Sequence, residues 1–138
     1  MSNGVEYLNP EGAPPAQGLY SHLTKVKAGD LYFIAGQLAV GEKGEVVGVH
    51  DFAAQFQCVF DNLGKVLKSV GLDYNDVIKF NTFLVHSQDI DKFMPLRAAL
   101  FPKLFKTSVY PPNTLLVVDR LVKESFLIEV EAVARARD

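Results

Sequence analysis

At 138 residues, with 49% hydrophobic and 22% charged side chains, the chain has the size and balance of one globular domain spanning 1–138. A net charge of −2 offers no basic stripe for nucleic acid or an anionic membrane, and neither is expected as a partner. The single cysteine excludes an intrachain disulfide and a multi-cysteine metal site, and it fits a reducing, cytoplasmic setting.

The amino terminus MSNGVEYLNPEG has no basic start and no apolar run, so no targeting segment is read there. No stretch approaches the roughly eighteen consecutive apolar residues of a membrane span. Residues 9–18 (NPEGAPPAQG) hold three prolines and two glycines, which predicts an irregular surface segment. His22 to Val26 and Leu31 to Val40 read as strands, and the turn signal Ala28, Gly29, Asp30 between them suggests a hairpin. Gly36 interrupts the second strand and marks a bulge or a close approach by another group. Residues 41–48 (GEKGEVVG) make a glycine-rich connection.

Phe52, Phe56, Val59, Phe60, Leu63, Val66, Leu67 and Val70 recur at spacings of three and four, which predicts a helix from about Asp51 to Val70. Asp51 suits its start and Gly71 the position just past its end. Val77 to His86 alternates as a strand with one buried face. A second helix is predicted from Ile90 or Asp91 to about Leu104, with Phe93, Leu96, Leu100 and Leu104 inward. Pro95 is placed in its first turn, and Pro102 is expected to loosen or end it. Leu115 to Asp119 and Phe126 to Arg135 complete the strands. The last of these puts Ile128, Val130, Ala132 and Ala134 on one face and Glu129 and Glu131 on the other. One layer of helices leaves the second sheet face bare; Phe83, Val117 and Leu127 hint that it is apolar and covered by another subunit.

His22, His50 and His86 follow no metal-ligand spacing, so no metal is expected. Cys58, beside apolar Val59 on the first helix, reads as an inert thiol, and GEKG lacks the ending of a phosphate loop. Glu129 and Glu131 have two readings: the solvent face of an edge strand, or a cleft in which one of them holds a water. Tyr20 is either a phenol donor in a site or an amphipathic cover.

The segments GLYS (18–21), LYFIAGQLAV (31–40), VGLDYNDVIKFNTFLV (70–85), PPNTLLVV (111–118) and LIEVEAVA (127–134) together resemble the RidA family, also called YjgF or L-PSP endoribonuclease-like. The resemblance implies an α+β, chorismate-mutase-like fold: a mixed six-stranded sheet with two helices on one face, assembled as a homotrimeric barrel with clefts between subunits. It also implies cofactor-free hydrolysis of enamine or imine intermediates such as 2-aminoacrylate. By motif, Tyr20 matches the family tyrosine, Gly36 the glycine of SGQ with Ala35 replacing the serine, and Glu129 the glutamate that positions water.

The family arginine of Pro-x-Arg-Ser/Thr does not carry over, because the segment reads Pro111, Pro112, Asn113, Thr114. A neutral Asn113 cannot form the two-point charged contact to a carboxylate that an arginine makes. Arg97, where many members carry an asparagine, is either a substitute cation or a surface arginine; Arg120 is a weaker candidate, with Asp119 or Glu124 as its partner. The resemblance therefore leaves three functions open: hydrolysis of an enamine or imine with weak 2-aminoacrylate activity, a non-catalytic metabolite-binding trimer, and RNA cleavage, which the acidic balance opposes.

Overall fold

The computed structural model describes residues 3–138; Met1 and Ser2, with which the expected domain begins, lie outside the described residues. In chain order the elements are β1 (Val5–Leu8), β2 (Leu23–Val26), β3 (Leu31–Gln37), α1 (Phe52–Ser69), β4 (Val77–Leu84), α2 (Ile90–Leu104), β5 (Asn113–Val117) and β6 (Ile128–Arg135). The fold is the α+β class anticipated for the family. Its strands divide between a four-stranded ladder in the order β3-β6-β4-β5 and a separate β1–β2 pair, rather than forming one continuous ladder of six. β6 runs antiparallel to both β3 and β4, whereas β4 and β5 are parallel and α2 supplies the crossover between them.

The hairpin expected between β2 and β3 is not formed. β2 pairs instead with β1, a short strand without a clear signal in the sequence, with Val5 opposite Val26 and Leu8 opposite Leu23. Arg135 explains the break. Its side chain is wholly buried, and its guanidinium donates to the carbonyls of Lys27, Ala28, Asn3 and Ala136 at 2.8–3.2 Å, with the Asp138 carboxylate 3.1 Å away. Those turn carbonyls are thereby taken from any β2–β3 ladder. A Cβ on Gly29 would lie 2.7 Å from Nη2 of Arg135, so the turn hugs this cation closely.

α1 begins where Asp51 accepts a hydrogen bond from the Ala54 amide at 3.1 Å. It ends where Gly71 adopts φ +75° and the amides of Gly71 and Leu72 return to the carbonyls of Lys68 and Leu67. Its apolar stripe buries Phe52, Phe56, Val59, Phe60, Leu63 and Leu67, each worth about 1.5–3 kcal/mol by transfer from water. The stripe meets α2 through Phe56 on Phe93, and the sheet through Phe60 on Phe80.

α2 departs from its expected phase. The buried stripe is Phe93, Arg97 and Phe101, at i, i+4 and i+8, and Leu96, Leu100 and Leu104 are only half-buried. Pro95 is the sixth helical residue, beyond the first turn, and the helix runs through Pro102 to Leu104, two residues further.

The helices cover the face formed by Phe80, Thr82 and Leu84 of β4 and Ile128, Val130, Ala132 and Ala134 of β6, all buried. The opposite face carries Lys79, Asn81, Phe83, Glu129, Glu131 and Val133, with Phe33 of β3 78% exposed. Val117, expected on that bare face, is put by alternation along β5 on the helix side with Asn113 and Leu115. Among the described residues no helix is long and apolar enough to cross a membrane.

Candidate functional site

β3 loses register against β6 between Ile34 and Gln37, where Gly36 sits. The irregularity lets the Glu129 side chain lie flat on the strand: a Cβ on Gly36 would be 2.5 Å from the carboxyl carbon of Glu129 and closer still to Oε2. Among the described residues the Glu129 carboxylate accepts no hydrogen bond. Partial burial, followed by the charge of Glu131, raises its pKa above the ordinary glutamate value. Glu131, two residues on, accepts from Nδ2 of Asn81 at 2.9 Å and is tied into the sheet face. Glu129 is thus the carboxylate on this face with open lone pairs and a raised proton affinity, the state suited to holding a water and exchanging a proton with it.

Next to this pair lies a hollow of ≈ 270 Å³ lined by Phe33, Ala35, Lys79, Asn81 and Glu131 among others. Ala35 follows Ile34, which pairs with the helix-facing Ala132, so alternation turns Ala35 toward the side of Glu131. Lys79 donates to Oγ1 of Thr114 at 3.2 Å, which places Thr114 on this side too. Lys79 and Asn81 carry no motif that marks them in the sequence, although the alternation of β4 already puts them opposite Phe80 and Thr82.

Asn113 points the other way. Its Oδ1 accepts from the hydroxyl of Thr82, a buried residue of the helix-facing side, at 2.8 Å. Within one chain, Glu129 and Asn113 lie on opposite faces of the ladder, so a site using both requires two chains.

Tyr20 and Arg97 form a third group. Arg97 is 2% exposed, its guanidinium lies 5.0 Å from the centre of the Phe93 ring, and a Cβ on Gly18 would be 2.5 Å from Nη2. Burial lowers the Arg97 pKa and the nearby Tyr20 phenol opposes that shift. Arg97 is therefore no surface residue, and it stands by the tyrosine rather than by Glu129. The Tyr20 hydroxyl accepts from the Gln17 amide at 3.0 Å and its ring meets His22 edge-on.

The remaining candidates are structural or solvated. The Cys58 thiol is pushed up by burial and donates to the Val40 carbonyl at 3.7 Å, the behaviour of a protonated, inert thiol. Arg120 pairs with Glu124 at 3.2 Å on the surface. Among the described residues no group of three or more His, Cys, Asp or Glu side chains is placed to hold a metal ion.

A protein-family model described as Endoribonuclease L-PSP matches residues 10–136. A RutC family protein of Pyrococcus horikoshii is 35% identical over 130 residues, covering 94% of this chain and 96% of that one. A protein of Acinetobacter baylyi named 3-aminoacrylate deaminase RutC is 32% identical over 129 residues, covering 94% and 96%. Among solved structures, a protein of unknown function of the conserved Rid family from Yersinia pestis superposes with a TM-score of 0.84 at 31% identity, covering 96% of this chain and 98% of that one.

Proposed function

Because the chain belongs to the RidA family, whose model is described as Endoribonuclease L-PSP, we propose that it is a cytoplasmic hydrolase of a small enamine or imine, acting as a homotrimer in clefts between subunits. The observation that carries this reading is Glu129, a half-buried carboxylate without a hydrogen bond among the described residues, laid against Gly36 on the bare sheet face, with its proton affinity raised. A relative named for deamination of 3-aminoacrylate supports the same class of reaction.

The chemistry needs little more than a positioned water. An enamine tautomerises to an imine, which takes up a proton from solvent to become an iminium whose carbon, doubly bonded to a protonated nitrogen, is electrophilic. Glu129 accepts a proton from the water as its oxygen bonds to that carbon, giving a carbinolamine. Returned to nitrogen, the proton lets the C–N bond break, so that one water is consumed and a carbonyl compound and ammonium leave. A carboxyl group with a pKa above its usual value is a stronger base toward the water and keeps the proton from solvent until the more basic nitrogen takes it. No cofactor enters the balance.

The opposed faces of Glu129 and Asn113 support the assembly. The bare side, with Phe33 78% and Leu116 49% exposed, supplies the apolar surface that subunits would bury. Asn113 offers a neutral contact where an arginine would give a charged one, so unless another cation meets the carboxylate, 2-aminoacrylate turnover falls by about one to two powers of ten for a lost charge-assisted bond. RNA cleavage finds no support in a chain of net charge −2.

The test is to generate 2-aminoacrylate, 3-aminoacrylate and larger imines in situ and to follow carbonyl product and ammonia. Acceleration by wild type that disappears in Glu129→Gln is expected. No acceleration with any imine, alongside measurable binding of the oxo-acid products, would leave a non-catalytic metabolite-binding trimer as the function.

A further inference from the structure

Four charged side chains are buried among the described residues: Asp76, Asp89, Arg97 and Arg135. Three of them have an opposite charge within reach, Asp76 with Arg137 at 2.7 Å, Asp89 with Lys92 at 3.3 Å and Arg135 with Asp138 at 3.1 Å. Arg97 has none among the described residues. Its Nε is buried with no hydrogen-bond partner, and Nη2 reaches only the thioether sulfur of Met94 at 3.2 Å, a weak acceptor. A guanidinium held out of water in that state is costly unless an anion completes it.

The geometry specifies the anion. The Phe93 ring lies beside the guanidinium, its centre 5.0 Å from Cζ, and hydrogen-bonding ligands approach in the plane of the group, where its N–H bonds point. Nε and Nη2 share one edge, and their two parallel N–H bonds match the two oxygens of a carboxylate. That is the edge on which Nε is unpaired and Nη2 holds only sulfur. Access is governed by the segment around Gly18, which lies against Nη2. Hydrogen bonds made by residues 10–18 stay local: Ala13 to Pro10, Gln17 to Pro15 and to the Tyr20 hydroxyl, Tyr20 to Gly18, and His22 with Pro14. None of these joins the segment to a helix or to the four-stranded ladder, so residues 10–18 can lift at small cost while Leu19, packed against the core, holds their carboxyl end.

We propose that the Nε–Nη2 edge of Arg97 is the carboxylate-binding group of this chain, covered by residues 10–18, which open to admit a small carboxylate and close over it. The cation missing at Asn113 is thus supplied from α2. This rests on reading the protein as a small-molecule binder, and it names the element that holds the ligand's carboxylate, α2 in place of β5.

Calorimetric titration of the intact protein with pyruvate and with its neutral counterpart pyruvamide tests the assignment. Wild type is expected to bind pyruvate at least tenfold more tightly than pyruvamide, and Arg97→Met, which keeps a long side chain over Phe93, to lose that preference while melting at the same or a higher temperature. Should Arg97→Met not fold, the Arg97 Nε–H resonance of the wild type decides: it is expected to shift on adding pyruvate and not on adding chloride. Wild-type affinity for pyruvate in Arg97→Met, an Nε–H resonance unmoved at high pyruvate, or a variant altered in oligomeric state alone would overturn the proposal. Imine hydrolysis is scored separately. Arg97-dependent pyruvate binding without hydrolysis would sink only the reaction, and hydrolysis indifferent to Arg97 would sink only this site.

Discussion

Glu129 and Gly36 occupy each other's space: the carboxylate lies where any side chain at position 36 would begin, with its carboxyl carbon 2.5 Å from a Cβ built there. The glycine is required by contact and not by backbone torsion, since positive φ values fall elsewhere, at Gly4, Gly12, Gly44, Gly48, Gly71 and His50. Gly36→Ala is therefore expected to fold normally and to swing the Glu129 carboxylate off the strand. Hydrolysis should fall by about 10²-fold or more, the usual worth of a positioned acid–base group, matching Glu129→Gln within a few-fold. Parallel measurement of kcat and of the melting temperature checks it; a fully active Gly36→Ala would show that the carboxylate works from another position.

The raised pKa of Glu129 has a sign that stability measurements can read. Burial and then Glu131 favour the protonated form in the folded chain, so the ionised form is disfavoured there relative to the unfolded state. The stabilising effect of protonation is present below the ordinary glutamate pKa and is lost as pH rises through the higher folded value. Glu129→Gln should accordingly be more stable than wild type at pH 7, with the difference shrinking as pH falls toward about 4. Urea unfolding at several pH values tests this, and a difference that widened on acidification would refute the assignment. The acid limb of kcat/KM should lie above the ordinary glutamate range for the same reason.

Gln55 makes the strongest polar demand on α1. It is wholly buried; Nε2 donates to the carbonyls of Ser125 at 2.8 Å and Gly48 at 3.2 Å, and Oε1 accepts from the Leu127 amide at 2.8 Å. One side chain thus fastens the glycine-rich connection and the entry to β6 to the helix, just upstream of Glu129. Gln55→Leu leaves the part-buried Ser125 carbonyl and Leu127 amide without partners, the Gly48 carbonyl keeping the Asp51 amide, and should cost roughly 2–4 kcal/mol in urea unfolding. A loss below about 1 kcal/mol would mean that water replaces the amide.

What can be read from the chain follows from the range of the interactions concerned. α1 is legible because its periodicity, the Asp51 cap and Gly71 are all local, and the faces of β6 because alternation is local. The β1–β2 pairing is not, since a four-residue strand is chosen by what it meets, and Arg135, 108 residues from Lys27, decides it. The position of Arg97 is half-visible: Phe93, Arg97 and Phe101 share one helix face at spacings of four, yet an arginine between two phenylalanines reads as a solvated residue until its surroundings are known. Motif resemblance points to Glu129, Gly36, Tyr20 and Asn113, but only the sheet shows that Glu129 and Asn113 face opposite ways.

Phe33, 78% exposed on the bare sheet face beside Val133, is the side chain best placed for an association test. Phe33→Lys should weaken self-association by at least about tenfold, because it replaces a large apolar contact with a charge that must be desolvated. Sedimentation velocity across a dilution series reads it. If the wild type sediments as a monomer at micromolar concentration, the opposed faces of Glu129 and Asn113 cannot form one site.

Asn113→Arg tests how the two candidate cations relate. Asn113 Oδ1 accepts from the Thr82 hydroxyl at 2.8 Å, so an arginine there forfeits that bond, at a cost of about 1 kcal/mol, and brings a cation to the helix-facing side of β5. If the chain lacks only its carboxylate contact at this strand, 2-aminoacrylate turnover should rise by about 10–100-fold, with KM carrying most of the gain where the contact is equal in ground and transition states. In Arg97→Met the same substitution should restore pyruvate binding that the single variant has lost. Restoration would place both cations at one carboxylate, from opposite elements of the fold. Additive effects, each variant acting as though the other were absent, would instead assign them to separate sites.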